Sequence, residues 1–431
     1  MVCDNLSVNS NRLLFAGQDA CDLAEKYGTP LYLMDEERIR RNCRMYTEAF
    51  RQNFPEGSMP LYASKACAFK QMFRIVAEEN MGIDVVSPGE IHTALKAGFN
   101  MARAYYHGNV KTAEDIRYAM DCGVGFFVVD NCEELLALEA EASSRGCVQS
   151  IYLRLTPGID PHTYEKISTG KVDSKFGAAI ETGQAEELCA LALKQEHLLL
   201  AGVHCHVGSM VFYEDVYERA SDIMLKFMAD IREKYGFEIK CLDLGGGYGV
   251  RYLETDPYVD IPRKISELAA HMRDTCAGFK IEMPVINMEP GRSIVADAGL
   301  TLYTVGGVKR IPGYKNYVAI DGGMGDNPRY TLYEAKYTCL AANRMDEIPY
   351  MHCSLVGRYC ESGDIVCNET DMPESIRRGD VVAVCTTGAY NYSMAFNYNR
   401  VGRPPVVMLK DGESYIAVKR ESLDDLILND V

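Results

Sequence analysis

Residues 60–66 read PLYASKA, a short apolar run that begins at a proline and ends with a lysine among small residues. A proline at the start and a polar residue at the end are typical boundaries of a strand. Burying an ammonium group is costly unless something uses it. The small side chains on both sides leave open space around the amine of Lys65. The stretch therefore predicts a strand that carries a functional lysine at its end.

Seven further runs of this kind follow, with amphipathic helical patterns between them. In order, the eight runs are PLYASKA, GIDVVSP, RAYYHGN, VGFFVVD, IYLRLTP, LLAGVHCHVG, IKCLDLGGG and PVINMEPG. Alternating strands and helices imply parallel strands joined by right-handed crossovers. Eight such units within roughly 230 residues predict a (β/α)₈ barrel of the TIM type.

The pattern changes near residue 300, where strand-like runs bounded by glycine follow one another with little helical periodicity. This change predicts a separate C-terminal β domain, either a sandwich or a barrel-like sheet. The N-terminal GTPLYLMD is also strand-like, lies outside the eight units and could pair with that domain. The fold class is therefore α/β plus β, and we expect three segments: an N-terminal strand segment (1–35), the barrel (36–299) and the β domain (300–431).

Composition excludes several classes of function. Apolar residues make up 47% and charged residues 25%, which is an ordinary globular balance. The net charge of −16 argues against a nucleic-acid partner, which needs clustered Lys and Arg. No signal peptide and no membrane-length apolar run is visible, so we expect no membrane association. The 16 cysteines are scattered without a C-x-x-C, which favours free thiols in the cytoplasm.

The unusual polar residues fall toward the C-terminal ends of the predicted barrel strands, which form the catalytic face of this fold. They are Lys65, Asp84, Glu90, His107, Arg154, His204, His206, Gly245, Gly246, Gly247 and the run from Glu289 to Arg292. Loops after strands seven and eight of such barrels commonly bind phosphate through converging backbone N–H groups. The pattern therefore predicts a site for a phosphorylated ligand at this face.

Each motif also has a simpler interpretation. GGGYG and EPGR could be ordinary turns, and Lys65 could be a core lysine paired with Asp84 or Glu90. His204 and His206 could form a zinc pair, but no third ligand stands at a recognisable spacing, so we predict no metal. Taken together, the motifs suit pyridoxal phosphate (PLP), with Lys65 holding its aldehyde as a Schiff base. The glycines and Arg292 would hold the phosphate, and Glu289 would protonate the pyridine nitrogen.

Ten motifs then occur in order over residues 62 to 390: YASKA, DVVSPGE, HGNVK, SKFG, HCHVGS, LDLGGGYG, MEPGR, DGGMGD, CESGD and GAY. In these motifs the chain resembles the fold-type III PLP-dependent decarboxylases, which share the architecture of alanine racemase. The resemblance implies an amino-acid decarboxylase. The expected substrate is meso-2,6-diaminopimelate, giving L-lysine and CO₂ in the last step of lysine biosynthesis.

The resemblance also implies roles for individual residues. The expected catalytic residues are Lys65, His204 stacked on the PLP ring, Glu289, and Cys360 as proton donor. The other expected cofactor contacts are Asp84, Ser209, Gly245, Gly246, Gly247, Pro290, Gly291, Arg292 and Tyr390. The expected substrate contacts are Arg292, Arg329, Tyr333, Glu361 and Tyr390. The family is a homodimer with shared active sites, so Cys360 and Glu361 are expected to come from the partner subunit.

Some residues depart from the family pattern, and the alternatives follow from them. RYTLY stands where the family more commonly has RPALY. This difference lies beside Arg329 in the substrate loop, so ornithine, arginine, lysine or carboxynorspermidine remain alternative substrates. A racemase of the same fold pairs the pyridine nitrogen with arginine, and Glu289 argues against it. A catalytically inactive relative that only binds a partner is disfavoured because Lys65, Glu289 and Cys360 are all present.

Overall fold

The computed structural model describes residues 1–159, 173–212 and 215–431. The chain divides into two compact units, which are described separately below. The β unit comprises Met1–Arg41, Val250–Tyr258 and Ile294–Val431. The barrel unit comprises Asn42–Gly249 and Val259–Ser293. Within residues 1–159, 173–212 and 215–431, no helix combines the length and the hydropathy that crossing a membrane requires.

The strands of the described residues, in chain order, are β1 (Leu6–Asn9), β2 (Arg12–Phe15), β3 (Gln18–Asp19), β4 (Leu31–Asp35), β5 (Met59–Ala63), β6 (Gly82–Val85), β7 (Ala104–Tyr106), β8 (Phe126–Val129), β9 (Gln149–Thr156), β10 (Ala178–Ala179), β11 (Leu198–His204), β12 (Cys241–Asp243), β13 (Val285–Met288), β14 (Gly299–Ile311), β15 (Lys315–Ile320), β16 (Cys339–Ala341), β17 (Met351–Val356), β18 (Ile365–Met372), β19 (Val381–Cys385), β20 (Val406–Lys410) and β21 (Glu413–Val418).

The α-helices of the described residues are α1 (Ala20–Tyr27), α2 (Glu36–Asn53), α3 (Lys70–Glu78), α4 (Pro88–Ala97), α5 (Ala113–Asp121), α6 (Cys132–Arg145), α7 (Gln184–Ala192), α8 (Val216–Tyr235), α9 (Ile261–Phe279), α10 (Arg292–Val295), α11 (Arg329–Tyr333) and α12 (Leu423–Leu426). Local sequence sets several of their ends. Ser87 caps α4 by accepting the N–H of Glu90 at 3.2 Å, and Thr112 and Asp115 form a capping box on α5.

Eight parallel strands close the barrel, in the order β9-β11-β12-β13-β5-β6-β7-β8, with β8 pairing back to β9. Their apolar side chains are almost wholly buried because helices cover the outer face and side chains fill the interior. All eight predicted strands are thus confirmed. The C-terminal strand ends, where Lys65, His107, His204 and Glu289 follow or end their strands, lie at one mouth of the barrel.

The β unit is built on one large sheet in the order β18-β17-β15-β14-β4-β20-β21, with β19 pairing β14 and β16. The N-terminal strand β4 lies inside this sheet, antiparallel to β14 and parallel to β20. Pairing of GTPLYLMD with the C-terminal β domain is therefore confirmed. The small sheet β1-β2-β3 contributes Leu13 and Phe15 to the same core.

Several elements of the β unit were not predicted from sequence, namely strands β1 to β3, β16 and β17. The predicted barrel range also included 250–258, whereas this segment clusters with the β unit. There Thr338 donates a hydrogen bond to the carbonyl oxygen of Tyr252 at 2.8 Å, and Thr386 donates one to that of Arg251 at 3.4 Å.

Candidate active site

Lys65 and Asp84 form an ion pair at the mouth of the barrel. Strand pairing sets Ala63 opposite Asp84, so the turn that follows β5 brings Lys65 beside this carboxylate. Nζ lies 3.4 Å from Oδ2, with the lysine side chain 40% exposed and the aspartate 1% exposed. Glu90 serves another purpose, because it accepts the hydroxyl of Ser64 at 2.6 Å and the N–H of Val86 at 2.8 Å. Lys65 is thus partly accessible while its partner is buried.

Glu289 follows β13, the neighbour of β5 in the barrel, and lies at the centre of a buried cluster at the barrel mouth. Its Oε1 is 2.9 Å from Nε2 of His107 and 3.3 Å from Nε2 of His204. The two imidazole rings meet edge to face with centroids 4.9 Å apart. Nε2 of His107 also lies 3.9 Å from Oδ1 of Asp84, so His107 bridges Glu289 and the Lys65–Asp84 pair.

The charges in this cluster follow from burial and from close neighbours. Burial lowers the pKa of His204 to about 4, so its imidazole is neutral at neutral pH. Burial would raise the pKa of Glu289, but the two adjacent imidazoles outweigh it and hold that pKa well below its usual value. Burial and the nearby Glu289 raise the pKa of Asp243 well above its usual range. The cluster therefore combines an ionised Glu289 with a neutral Asp243.

Several polar atoms of this cluster are buried without a well-formed hydrogen bond to any described residue. They are both carboxylate oxygens of Asp84, Nε2 of His107, both ring nitrogens of His204, Oε1 of Glu289 and Oδ2 of Asp243. Unpaired buried polar groups are costly, and a native protein retains them where a ligand satisfies them. A flat heteroaromatic ligand with a ring nitrogen and an aldehyde fits this donor and acceptor set beside an accessible lysine.

A tight turn after β12 lies next to this cluster. A side chain at Gly246 would place its Cβ 2.0 Å from the carbonyl oxygen of Glu289. At Gly247, which has φ +131°, a Cβ would lie 2.2 Å from the carbonyl oxygen of Gly208. Only glycine permits this approach of three loops. In the same region Arg292 donates a hydrogen bond to the hydroxyl of Ser209 at 3.0 Å, which joins two of the predicted phosphate contacts.

The remaining predicted cofactor contacts, Pro290 and Gly291, continue from Glu289 into this region. The carbonyl of Pro290 accepts the N–H of Ala63 at 3.1 Å, and a Cβ on Gly291 would press on Ala63 and Ala66. The end of β13 therefore lies directly against the turn that carries Lys65.

The zinc pair considered from sequence, His204 with His206, is not the group of possible metal ligands that the structure brings together. His204 groups with His107 and Glu289, whose ligand atoms lie within 4.8 Å of one another, and His206 lies outside that group. Such a spacing would suit a divalent ion. However, the Lys65 ammonium at Asp84 and the buried Arg154, which feels the charges of Glu289 and Asp84, place positive charge nearby and disfavour a cation.

Arg329 and Tyr333 lie on the short helix α11 of the β unit. The guanidinium of Arg329 is buried and donates to the hydroxyls of Tyr252 at 2.9 Å and Tyr337 at 3.1 Å. Tyr337 in turn donates to Asn391 at 3.3 Å. Two tyrosine hydroxyls thus hold Arg329, a predicted substrate-binding residue, in one orientation. Tyr333 is half-buried on the same helix.

Cys360 and Glu361 are both exposed on a short loop between β17 and β18 of the β unit. Asp364 anchors this loop, because its carboxylate accepts the N–H groups of Tyr359 at 2.7 Å and Met324 at 2.6 Å. A Cβ on Gly323 would lie 2.4 Å from the same carboxylate. The DGGMGD and CESGD motifs therefore form one structural element that presents Cys360 and Glu361 to solvent.

Tyr390, the last residue of GAY, has a left-handed backbone with φ +63°. This conformation is uncommon for a residue with a side chain, and it marks positions where function or close packing constrains the chain. Tyr390 directly precedes Asn391, which accepts the hydroxyl of Tyr337. The turn is thereby linked to Arg329.

The structure groups the predicted residues by unit. It brings together Lys65, Asp84, His204, Ser209, Gly245 to Gly247 and Glu289 to Arg292 in the barrel unit, and it places Arg329, Tyr333, Cys360, Glu361 and Tyr390 in the β unit. Sequence reasoning saw His107 at a strand end but gave it no role. Asp243 was missed, although its place at the end of strand β12, just before the glycines of LDLGGG, was a usable signal. Tyr252 and Tyr337, for which single-sequence patterns hold no signal, were missed as well.

The chain is similar to known proteins over nearly its whole length. Residues 36–296 match the family model described as pyridoxal-dependent decarboxylase, pyridoxal binding domain. The diaminopimelate decarboxylase of Bacillus subtilis is 43% identical, covering 97% of this chain and 95% of the relative. The structure of the M. jannaschii diaminopimelate decarboxylase in complex with L-lysine has a TM-score of 0.90 at 34% identity, covering 99% and 98%. That of the Helicobacter pylori enzyme with L-lysine has a TM-score of 0.85 at 33% identity, covering 94% and 98%.

Proposed function

Because the chain belongs to the pyridoxal-dependent decarboxylases, we propose how its own residues perform the reaction of its relatives. The chain decarboxylates meso-2,6-diaminopimelate to L-lysine and CO₂ with pyridoxal phosphate as cofactor. One observation carries the assignment of residues: Asp84, His204 and Glu289 keep buried polar atoms without a well-formed hydrogen bond, and Asp84 is the ion-pair partner of the partly exposed Lys65.

When bound, PLP supplies an aldehyde that takes up amines and a ring that accepts the electron pair released as the carboxylate departs. Lys65 would hold the aldehyde, and Asp84, 3.4 Å from its Nζ, would keep that amine in place at the barrel mouth. Glu289, ionised between His107 and His204, would hold a proton at the pyridine nitrogen. His204, whose charge burial removes, would pack against the ring.

The phosphate end is held by the turn that joins three loops. Ser209 and Arg292 already share a hydrogen bond of 3.0 Å, and the turn from Gly245 to Gly247 packs against Gly208 and the carbonyl of Glu289. The N–H of Gly245 is donated to Asp243, so Gly246 and Gly247 would offer their N–H groups to the phosphate. Pro290 and Gly291 complete this wall. These residues would thereby hold the cofactor by its charged end, and Lys65 would hold its aldehyde.

The distal end of the substrate requires a carboxylate clamp and an acceptor for an ammonium group. We assign the clamp to Arg329, which its two tyrosines hold in a fixed orientation, with Tyr333 and Tyr390 beside it. A guanidinium binds a carboxylate through paired, charge-assisted hydrogen bonds. Glu361 takes the distal ammonium, and Arg292 also contacts the substrate.

We propose that the enzyme acts as a homodimer in which the partner subunit completes each site. The exposed loop with Cys360 and Glu361 supports this proposal, because a catalytic thiol and a substrate carboxylate are otherwise out of place on a solvent-facing loop. Cys360 of the partner subunit then protonates Cα after CO₂ has left. Sixteen free cysteines favour a reducing compartment, so we place the enzyme in the cytoplasm.

A substrate panel with product analysis tests the reaction. The purified enzyme with PLP is incubated with meso-diaminopimelate, L-ornithine, L-lysine and L-arginine, and the products are identified by mass spectrometry. L-lysine should form from diaminopimelate, and little putrescine, cadaverine or agmatine should form. Preferential release of one of these diamines, or of agmatine, would contradict the assignment of Arg329 as a carboxylate clamp.

A further inference from the structure

Lys111, the last residue of the HGNVK motif, is buried although it carries a charge. Its side chain is 0% exposed, and that of its ion-pair partner Glu134 is 4% exposed. Nζ donates hydrogen bonds to Oε1 of Glu134 at 2.7 Å and to the carbonyl oxygens of Gly108 and Val128 at 2.9 Å each. An ammonium has three donors, so every one of them is used.

The three acceptors belong to three different elements at the barrel mouth. Val128 lies in β8, Glu134 lies in the first turn of α6, and Gly108 follows His107 in the loop after β7. On its other side, the backbone N–H of His107 donates to the carbonyl of Val85 at 2.9 Å. The backbone around His107 is therefore fixed from two directions, and its ring lies 2.9 Å from Glu289.

The second oxygen of Glu134 continues the network. It accepts the N–H of Asp130 at 3.2 Å, and the Asp130 carboxylate accepts the N–H of Gly177 at 3.0 Å. The adjacent Phe176 ring lies 4.4 Å from the guanidinium carbon of Arg154. Lys111 of HGNVK and the SKFG motif, to which the proposed function gives no role, are thus joined by one chain of hydrogen bonds.

Stability alone does not explain an ion pair at this depth. Replacing a buried pair by apolar residues of similar size is often neutral for stability, whereas removing only one partner is strongly destabilising. Such a pair is best explained by what it holds in place. Here it holds the loop of His107, whose Nε2 lies 2.9 Å from the carboxylate of Glu289.

We propose that Lys111 is a positioning residue, which together with Glu134 holds His107 against Glu289. This inference rests on the proposed function, in which Glu289 faces the pyridine nitrogen. The loss of Lys111 should let the His107 loop move and so weaken both cofactor binding and the decarboxylation step. A purely structural pair would affect folding alone.

Comparison of a single and a double variant separates the two roles. Lys111→Met leaves Glu134 buried without a partner and should lower the melting temperature by roughly 5–15 °C. The double variant Lys111→Met/Glu134→Leu replaces the pair by apolar side chains, so its melting temperature should return to within a few degrees of wild type. Because the bond to Gly108 is still missing, the Kd for PLP of its apoenzyme should remain about tenfold above wild type, which is ~1.4 kcal/mol.

The measurements are melting by circular dichroism, calorimetric titration of apoenzyme with PLP, and kcat and KM for diaminopimelate. We expect kcat of the double variant to fall about tenfold, with KM nearly unchanged, since the distal substrate contacts are intact. Glu139→Gln is the matched control, because it removes an ion pair with His197 from the same helix without touching this loop. It should keep the wild-type Kd and kcat.

A stable double variant with wild-type PLP affinity and kcat would overturn the proposal, because the pair would then be structural only. If the double variant is insoluble, Glu134→Gln serves in its place, because an amide keeps an acceptor for Lys111 but opposes the N–H of Asp130. A roughly threefold rise in Kd supports the proposal and an unchanged Kd contradicts it. Failure of wild-type apoenzyme to bind PLP would instead refute the proposed function.

Discussion

Nζ of Lys65 lies 3.4 Å from Oδ2 of Asp84, and neither oxygen of this buried carboxylate accepts a hydrogen bond from a described residue. The ammonium is thus the principal compensation for a negative charge inside the barrel. With an aldehyde bound, Lys65 would keep its nitrogen near Asp84, which would stabilise positive charge there. The pair therefore suits a lysine that exchanges its amine with that of the substrate.

Lys65→Ala should remove the covalent link to the cofactor. The purified variant should lack the visible absorbance band of lysine-bound PLP and should lose activity beyond detection. Reduction of wild type with borohydride followed by peptide mapping should tag Lys65, and a tag on another lysine would refute the assignment. Lys70→Ala, a nearby exposed lysine on α3, is a suitable control and should keep the band.

Glu289→Gln should lower kcat about 100-fold or more while PLP still binds. An amide carries no charge and cannot hold a proton on the pyridine nitrogen, so preorganised electrostatic support is lost. Asp243→Asn is the matched control, because burial keeps that carboxyl neutral and an amide resembles it. Its kcat should stay within about threefold of wild type, and equal losses in both variants would contradict the distinction.

Mixing two inactive variants tests the shared site. Lys65→Ala lacks the lysine proposed to hold the cofactor, Cys360→Ala lacks the proposed proton donor, and the two residues belong to different units. In mixed dimers one of the two sites would be intact, so up to about a quarter of wild-type activity should return after subunit exchange. Persistent inactivity, with exchange demonstrated by mass spectrometry, would exclude a site completed by the partner.

Arg329→Lys should lower kcat/KM for diaminopimelate by about 100-fold, since a single ammonium cannot replace the planar fork. Wild type should favour diaminopimelate over L-lysine and L-ornithine by roughly 10⁴-fold, because the latter two leave the guanidinium unmatched. Tyr337→Phe removes one of the two hydroxyls that orient Arg329 and should cost about tenfold, mainly in KM. Equal rates on all three substrates would show that Arg329 does not select them.

The stability of the β unit should decrease between pH 4 and 7 because of Asp326. Burial raises the pKa of this carboxyl to about 7, despite hydrogen bonds from Tyr303 and the N–H of Gly323. Across this window the folded chain binds one proton more than the unfolded chain. The contribution of Asp326 to the free energy of unfolding is therefore complete below about pH 4 and is lost as the pH rises through 7. Its total is about 4 kcal/mol.

Asp326→Asn should flatten this dependence, because an amide does not titrate. The measurement is urea unfolding of both proteins at several values between pH 4.5 and 8, with the free energy of unfolding plotted against pH. The variant can be less stable at every pH, because the amide N–H at position 326 then faces one of the two donors, the hydroxyl of Tyr303 or the N–H of Gly323. Parallel curves for the two proteins would show that Asp326 does not titrate in this window.

The barrel could be predicted from sequence because its strands are buried on both faces. Such strands appear as continuous apolar runs bounded by Gly or Pro, and the polar residues at their ends collect at one mouth. Strands β1, β16 and β17 lack such a signature. LSVN and MHCSLV become strands because neighbouring strands pair with them, and short segments of that kind have no pattern of their own.

The parts of the site that were missed depend on contacts distant in sequence. Tyr252 and Arg329 are 77 positions apart, and their hydrogen bond joins a loop segment to a short helix. His107 was visible as a polar residue at a strand end, but its meeting with Glu289 depends on closure of the barrel. Periodicity describes neighbours along the chain, so it cannot show such pairs.

Strand β4 lies between β14 and β20, although it is made hundreds of residues earlier. At a typical elongation rate of 5–20 residues per second, its partner Val406 leaves the ribosome roughly 20 to 75 s after Leu31–Asp35. This apolar strand has neither neighbour until β14 is made, and it lacks β20 for the whole of this interval. The barrel unit ends at Ser293 and can fold during this interval. Nascent chains should therefore acquire the barrel first, and a chaperone that shields β4 would bind to them before synthesis ends.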